Sequence, residues 1–225
     1  MTRGCLYINW PGDERVNPAL ERSMSSLREH HPDIKIKEHY LVHNASLLDK
    51  AKMLDLSPFD TTLFLDADTV VLGNLDYGFQ KAEQFGLACC ICECPWAKRY
   101  GGLAQHGDIV EYNTGALWFT RGSAEVFDAW QRNIAVDSSV RFTDKDLKVQ
   151  TMPLNDQAAF ALAVDETGFN PFVLPMNWNF RPIWQKTVFG PVKIWHDYSD
   201  VPAWLAKWNT EQSAAGAVIN CGRFA

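Results

Sequence analysis

One stretch decides the fold of this chain: Leu63-Phe64-Leu65-Asp66-Ala67-Asp68-Thr69-Val70-Val71. The apolar run before the two acids predicts a buried strand that reaches the surface at its carboxyl end. In open α/β sheets, ligands bind at that edge. On an extended backbone Asp66 and Asp68 would share one side, so their oxygens would converge on one hard divalent cation. The alternative interpretation is that these two acids lie in a solvated turn.

Composition supports one sizeable core and argues against several classes of partner. The chain has 225 residues, of which 47% are hydrophobic, with 9 Trp and 13 Phe, enough for a single α/β domain over residues 1–225. A net charge of −6 argues against a nucleic-acid surface. A phosphate-bearing substrate would therefore need a metal ion or a few basic residues. No stretch approaches the ~20 apolar residues of a membrane span, and the N-terminus lacks a signal-peptide pattern.

The cysteines are concentrated in one segment, Cys89-Cys90-Ile91-Cys92-Glu93-Cys94, which holds four of the six. On a strand, Cys90, Cys92 and Cys94 would line one face, but residues in a row do not wrap a metal as tetrahedral zinc ligands must. We interpret them as reduced thiols in a buried strand, which predicts a cytoplasmic protein.

Strand-like and helix-like segments alternate along the chain, which predicts a mostly parallel sheet covered by helices. The predicted strands are Gly4–Asn9, Ile34–Leu41, Leu63–Leu65, Gly86–Cys92, Tyr112–Thr120 and Val192–Trp195. The predicted helices are Pro18–His31, Ser46–Leu56 with Ser46 as a possible cap, Leu75–Gln84, Ser123–Ile134 and Asn155–Val164.

Three further clusters carry side chains suited to a site. Asn113-Thr114-Gly115 begins an apolar strand, where it either caps a turn or contributes an amide to a ligand. Asn155-Asp156-Gln157 opens a helix, either as its N-cap or facing a sugar. His196 follows a late strand, either as an ordinary surface or core residue or as a neutral imidazole that completes a metal site.

The order of these motifs resembles the glycogenin-type retaining glycosyltransferases, a glycosyltransferase family 8-like group with the GT-A fold. The resemblance covers roughly Gly4 to Tyr198, and a Lys50/Lys52 pair stands upstream as the family's basic pair does. It rests on five motifs in one order: Asp66-Ala67-Asp68, Asn113-Thr114-Gly115, Asn155-Asp156-Gln157, Leu174-Pro175…Trp178-Asn179, and His196.

The resemblance implies a Rossmann-like, mixed but mostly parallel sheet and a metal-dependent hexosyltransferase. Such an enzyme moves a sugar from a nucleotide diphosphate sugar, with UDP favoured, to an acceptor that is a glycan, a lipid-linked molecule or a protein. Asp66, Asp68 and His196 would hold Mn²⁺ or Mg²⁺, and the mixed oxygen and imidazole set fits Mn²⁺ somewhat better.

The resemblance also implies roles for residues around that metal. Asp156 and Gln157 would stand by the reacting carbon, as catalytic stabilisers rather than nucleophiles. The expected donor-binding and substrate-binding residues are Ile8, Asn9 and Trp10 near the base, Lys50 or Arg99 at the phosphates, Asp66 and Ala67 near the ribose, and Asn113, Thr114 and Gly115 on the sugar or acceptor side.

One segment departs from the family pattern. Family members follow the metal histidine with a Gly-containing turn and then Lys-Pro-Trp, whose lysine contacts the diphosphate. Here His196 is followed by Asp197-Tyr198-Ser199-Asp200-Val201-Pro202-Ala203-Trp204, and Lys207 comes late. This difference motivates one rival hypothesis, a non-catalytic module that binds nucleotide sugars without transferring them.

A second rival is a phosphatase of the haloacid dehalogenase type. In that class an Asp-x-Asp motif after an apolar strand supplies a nucleophile and an acid/base, roles that would fall to Asp66 and Asp68. That motif usually opens its chain, whereas two βα-like units precede it here. That class also carries a carboxylate cluster at the end of a late strand, and here only Asp197 and Asp200 weakly resemble one.

Overall fold

The computed structural model describes residues 1–9, 15–41, 46–93, 109–134, 140–143, 147–152, 156–214, 216, 218 and 221–223. Twelve strands are assigned within these ranges: β1 Arg3–Asn9, β2 Lys35–Tyr40, β3 Thr61–Leu65, β4 Thr69–Val71, β5 Leu87–Ile91, β6 Tyr112–Thr120, β7 Val140–Thr143, β8 Val149–Met152, β9 Phe172–Leu174, β10 Thr187–Phe189, β11 Ile194–His196 and β12 Cys221–Arg223. The α-helices are α1 Val16–His30, α2 Met53–Leu56, α3 Asp76–Phe85, α4 Ala124–Asn133, α5 Asp156–Thr167 and α6 Ala203–Ser213. Short 3-10 helices include Leu47–Lys52 and Met176–Trp178.

A six-stranded sheet organises the chain, in the order β2-β1-β3-β6-β5-β9. Strand β1 pairs in parallel with β2 and β3, and β5 pairs in parallel with β9. Strand β6 is antiparallel to both of its neighbours, β3 and β5. The predicted mostly parallel sheet flanked by helices is thus confirmed, with β6 as its one reversed strand.

Alternating side chains of the central strands feed two apolar layers, one on each face of the sheet. Leu6 and Ile8 of β1 pack with α4 and α5, whereas Cys5 and Tyr7 of the same strand pack with α1 and α3. Because both faces are covered, β3 is buried along its whole length. This two-sided burial explains why its sequence is a continuous apolar run instead of an alternating pattern.

A second, smaller pairing lies at the carboxyl edge of the main sheet. After β3 the chain turns through Asp66, Ala67 and Asp68 and enters β4, which pairs antiparallel with the late strand β11. The register of this pairing places His196 opposite Thr69. The pairing therefore brings the histidine, 128 residues further along the chain than Asp68, next to that acid.

Some sequence-based expectations were wrong in detail. Asp66 and Asp68 lie in a turn and not on extended backbone; the Thr69 amide and hydroxyl both donate to the Asp66 carbonyl, at 3.3 and 2.8 Å. The predicted helix from Ser46 divides into a 3-10 helix and the short α2. Ser46 does cap that segment, since its hydroxyl accepts from the Leu48 amide. None of the helices in the described ranges is long and apolar enough to cross a membrane.

The cysteine-rich segment begins in β5 as predicted, but the strand ends at Ile91, so Cys92 does not lie on it with Cys90. Cys89 and Cys90 are buried and belong to opposite layers of the core, and Cys92, just beyond the strand, is also buried. Cys94 lies outside the described residues. Burial raises the pKa of the Cys90 thiol, with the Glu93 carboxylate adding to the shift, so the thiol is held in its neutral form.

Candidate active site at the carboxyl edge of the sheet

Two carboxylates and an imidazole converge at the carboxyl end of β3. Single ligand atoms of Asp66, Asp68 and His196 all lie within 4.8 Å of one another. The His196 Nε2 atom stands 3.4 Å from Asp68 Oδ1 and 3.8 Å from Asp66 Oδ2. The turn and the β4–β11 pairing create this convergence, since neither strand alone contains all three residues.

The far side of the imidazole ring is held by a chain of buried amides. His196 Nδ1 lies 2.8 Å from Asn179 Oδ1, and Asn179 Nδ2 donates to Asn113 Oδ1 at 2.8 Å. Asn113 Oδ1 also accepts from the Gly115 amide at 2.8 Å. Both atoms of the Asn179 side-chain amide are therefore used inside the protein.

Gly115 packs directly against two of the three converging groups, His196 and Asp66. A Cβ atom there would overlap His196 Cε1 and stand 2.7 Å from Asp66 Oδ2. Such close approach leaves no room for any side chain. Gly115 thus makes space for the ligand atoms to come together, and its backbone accepts from the Asp66 amide at 2.9 Å.

Lys50 lies buried between the first acid of the turn and the acid that opens α5. Its Nζ contacts the two Asp66 oxygens at 2.7 and 2.9 Å and lies 3.5 Å from Asp156 Oδ2. Only 3% of the residue is exposed. Lys50 was predicted as a phosphate contact, and the structure places its ammonium against carboxylates.

The pKa directions follow from this crowding of charge. Burial opposes the charged form of Lys50, but Asp156 and Asp66 outweigh it and raise the pKa of the ammonium above its usual value. Burial raises the pKa of Asp66, and Lys50 opposes that rise without cancelling it. Burial also acts to raise the pKa of Asp68, yet His196 beside it holds that pKa at about 2.

The predicted catalytic pair opens helix α5. Asp156 accepts a short hydrogen bond from the Thr114 hydroxyl, and its backbone carbonyl accepts from the Trp130 indole at 3.1 Å. Asp156 and Gln157 are both more than nine-tenths buried. The Lys50 ammonium contacts both Asp156 and Asp66. The structure therefore brings the predicted catalytic and metal-binding groups together.

A bulge in β6 brings the Asn113-Thr114-Gly115 motif next to the converging acids and His196. Cys89 pairs with Leu117 and Cys90 pairs with Asn113, so three residues of β6 have no counterpart on β5. Bulges of this kind bend a strand and redirect its side chains, and they are common beside active sites. Here the bulge directs Thr114 to Asp156 and places Gly115 under His196.

An open cavity of about 380 Å³ adjoins these groups. It is lined by Lys50, Asp66, Ala67 and Asp68, and also by Val16, Leu47 and Tyr198. The first set was predicted from sequence, and the second was not. A larger cavity of about 920 Å³ between α1 and α6 contains none of the predicted site residues.

Of the other residues predicted to bind the nucleotide sugar, only some lie at the carboxyl edge of the sheet. Ile8 points into the apolar core, whereas Asn9 ends β1 at the same sheet edge as Asp66 and contacts Asn17 Oδ1 at 3.3 Å. Trp10 and Arg99 lie outside the described residues, as does Asn155.

The segment after His196 is held by an arginine of α1. Arg22 donates to the carbonyls of Asp197, Tyr198 and Ser199, at 3.0, 3.4 and 3.3 Å. Tyr198 then faces the cavity, with the Arg15 guanidinium 4.8 Å from the centre of its ring. Lys207, the late lysine, is exposed and pairs with Glu211 of its own helix.

Sequence reasoning missed Asn179 as a member of the site, although Trp178-Asn179 was part of the recognised motif order. It also missed Tyr198 and Val16, because an aromatic residue in a polar segment and a valine at a helix start carry no distinguishing pattern. A lone asparagine near an apolar segment gives no signal until its partners are known.

Comparison with solved structures identifies the architecture. The apo form of mouse xyloside xylosyltransferase 1 superposes with a TM-score of 0.61 at 13% identity, covering 90% of this chain and 100% of that chain. The galactosyltransferase LgtC, in complex with donor and acceptor sugar analogues, gives 0.51 at 16% identity, covering 93% and 94%. This chain has the GT-A fold.

A third GT-A structure, the glycosyltransferase GlyE of Streptococcus pneumoniae, gives a TM-score of 0.52 at 14% identity and covers 88% of this chain but 55% of the GlyE chain. No protein-family model matches the sequence, and no curated protein matches it at a significant level. At these identities the shared GT-A fold is what the comparisons establish.

Proposed function

We propose that this GT-A chain, acting as one domain, is a metal-dependent glycosyltransferase that moves a sugar from a UDP-sugar to an acceptor with retention of configuration. One observation carries the proposal. The Asp66, Asp68 and His196 ligand atoms converge beside an open cavity at the carboxyl edge of a GT-A sheet, the edge at which α/β folds bind ligands.

The ligand atoms of Asp66, Asp68 and His196 fit a divalent cation. The Lys50 ammonium contacts the carboxylates of Asp66 and Asp156, and Asp68 adds a third carboxylate close to Asp66. A divalent ion would therefore balance local negative charge. Oxygen with imidazole ligands suits Mn²⁺ and also Mg²⁺. Gly115 allows the backbone to approach His196 and Asp66 where any side chain would clash with them. When bound there, the metal would neutralise the leaving diphosphate.

The cavity residues suit a nucleotide. Val16, Leu47 and Tyr198 give the cavity apolar and aromatic surface, which fits a nucleoside. Arg15, whose guanidinium lies over the Tyr198 ring, brings a cation to the segment that lacks the family lysine. We assign Arg15 the diphosphate contact that this lysine makes in the family. Asn9, at the same sheet edge, would lie towards the base.

The reacting side is assigned to the start of α5. Asp156 is oriented by Thr114 and Lys50, and Gln157 follows it in the first helical turn. A buried carboxylate and amide held there would stabilise positive charge developing at the sugar carbon during transfer. Asn113 uses its carbonyl oxygen internally, which leaves its NH₂ group to face sugar or acceptor.

The metal-dependent step of the proposal is tested by thermal denaturation. A ligand that binds only the native state raises its stability, so UDP should raise the melting temperature only when Mn²⁺ or Mg²⁺ is present. Asp68→Ala should abolish this shift. The matched control is Asp128→Ala, on the exposed face of α4, which should leave it intact. A full metal-dependent shift in Asp68→Ala would contradict the assigned site.

Turnover assays separate the proposal from its two rivals. We expect metal-dependent release of UDP from at least one UDP-sugar. Hydrolysis of simple phosphomonoesters without any action on UDP-sugars would instead favour the phosphatase. UDP-sugar binding with no turnover across glycan, lipid-linked and protein acceptors would favour the non-catalytic module. The shared GT-A fold supports the transferase over the phosphatase. The cytoplasmic location stays a prediction from the thiols.

A further inference from the structure

The amide chain behind His196 fixes which ring nitrogen carries the proton. The Gly115 amide is a backbone N–H and can only donate, so the Asn113 atom that it meets at 2.8 Å is the carbonyl oxygen. That oxygen also meets the Asn179 side chain, which must therefore present its NH₂ group. The orientation of Asn179 thus follows from a fixed donor.

The orientation of Asn179 in turn determines the protonation of the His196 ring. With its NH₂ group directed at Asn113, Asn179 presents its carbonyl oxygen to His196 Nδ1 at 2.8 Å. An amide oxygen can only accept, so Nδ1 carries the proton and, in the neutral ring, Nε2 carries the lone pair. Nε2 is the nitrogen that faces Asp68 and Asp66.

We propose that Asn179 is a positioning residue, which holds His196 in the tautomer and direction that let Nε2 bind the metal. The inference rests on the proposed metal site and extends it to a residue that does not touch the ion. Metal-bound histidines commonly donate their second ring N–H in this way, and loss of the acceptor typically lowers metal affinity ~10–100-fold. Because Asn113 belongs to the same chain of amides, Asn179 also ties the metal histidine to the sugar side of the site.

Nuclear magnetic resonance of the unaltered, metal-free protein tests the tautomer directly. Long-range proton–nitrogen correlation spectra at alkaline pH distinguish the two neutral tautomers, and a His196→Gln variant assigns the signal. We expect His196 to be protonated at Nδ1. Protonation at Nε2 would overturn the inference. This measurement requires neither a variant of Asn179 nor any enzymatic activity.

Metal binding, measured as free Mn²⁺ by electron paramagnetic resonance in the presence of UDP, tests the consequence. Asn179→Leu removes the acceptor and should weaken Mn²⁺ binding at least ~10-fold. Asn179→Asp keeps an acceptor for Nδ1 and should stay within ~5-fold of the unaltered protein, because a carboxylate serves the same role in metal sites. Asn177→Ala is the matched control, since Asn177 lies in the same segment but bonds to the Pro191 carbonyl.

The outcomes separate the two levels of the argument. Normal Mn²⁺ binding by Asn179→Leu would overturn the inference and leave the metal site standing. Equal losses in Asn179→Leu and Asn179→Asp would also overturn it, because they would indicate a packing role. Failure of the unaltered protein to bind Mn²⁺ would overturn the proposed function, and with it the metal-binding part of the inference.

Discussion

The two ends of the central strands β1 and β3 both carry charged clusters, built in opposite ways. At the amino end, Arg3 and Glu83 form a two-pronged pair at 2.7 and 2.8 Å, and Thr61 donates to Glu83 as well. At the carboxyl end, the almost fully buried Lys50 contacts the carboxylates of Asp66 and Asp156, and Asp68 stands close to Asp66. The first cluster is partly solvated, and Arg3 also lies 3.6 Å from the half-exposed Asp76, whereas the second is buried and has surplus negative charge. The difference indicates that the first cluster stabilises the fold and the second serves a ligand.

The largest expected effect is on the buried cluster itself. Lys50→Met leaves Asp66 and Asp156 buried without their cation, and removing one partner of a buried ion pair costs roughly 3–5 kcal/mol. We expect a loss of that size in the free energy of unfolding, measured by urea denaturation at neutral pH. Arg3→Met, at the opposite end of the sheet, should lose about 1 kcal/mol or less, because its pair is partly exposed. Equal losses would remove the distinction between the two ends.

The next effect concerns chemistry rather than stability. Asp156→Asn keeps the shape of the side chain but removes its charge. We expect turnover to fall at least ~10²-fold while donor affinity stays within several-fold, as for an interaction made mainly in the transition state. Steady-state kinetics with the UDP-sugar identified by screening provides the measurement. Asp165→Asn, exposed near the other end of α5, is the control. Unchanged turnover in Asp156→Asn would show that the catalytic assignment is wrong.

The smallest effect is a pH dependence at the amino end. The Arg3 hydrogen bond lowers the pKa of Glu83 below its usual value, so the charged form is favoured on folding. The resulting stability is present at neutral pH and is lost as the pH falls through the lowered pKa. Glu83→Gln should therefore cost about 0.5–1 kcal/mol at neutral pH, and this cost should disappear as the pH falls through the lowered pKa. A difference that persists in acid would assign the effect to packing.

The sequence predicted long, buried elements well. The Tyr112–Thr120 strand has the predicted bounds, because nine residues of buried apolar and β-favouring sequence carry a strong local pattern. The position of the site at the carboxyl end of β3 was predicted from the abrupt change from apolar residues to acids at Asp66. In contrast, β4 and β11 have three residues each, too few for a pattern, and their pairing is what brings His196 to Asp68.

The turn at Asp66-Ala67-Asp68 was not predicted as the main interpretation for a related reason. Thr69 closes it with two hydrogen bonds to the Asp66 carbonyl, and the Thr69 hydroxyl is itself tied to Ser23 of α1 at 2.8 Å. Ser23 lies 46 residues before Thr69 in the sequence, so local pattern cannot show this contact. The role of Asn179 depends in the same way on two distant partners, His196 and Asn113.

Because of the bulge in β6, the site depends on the number of residues in that strand as well as on their identity. Three residues stand between the partners of Cys89 and Cys90, and side chains alternate between the two faces of a strand. Deleting Ala116, the one of the three with no assigned role, would turn the residues from Tyr112 to Gly115 to the opposite face while leaving every motif residue of the site in the chain. A homologue could therefore keep all the motif residues and still lose the site through one missing codon, so spacing within this strand is as informative as identity when related genes are compared.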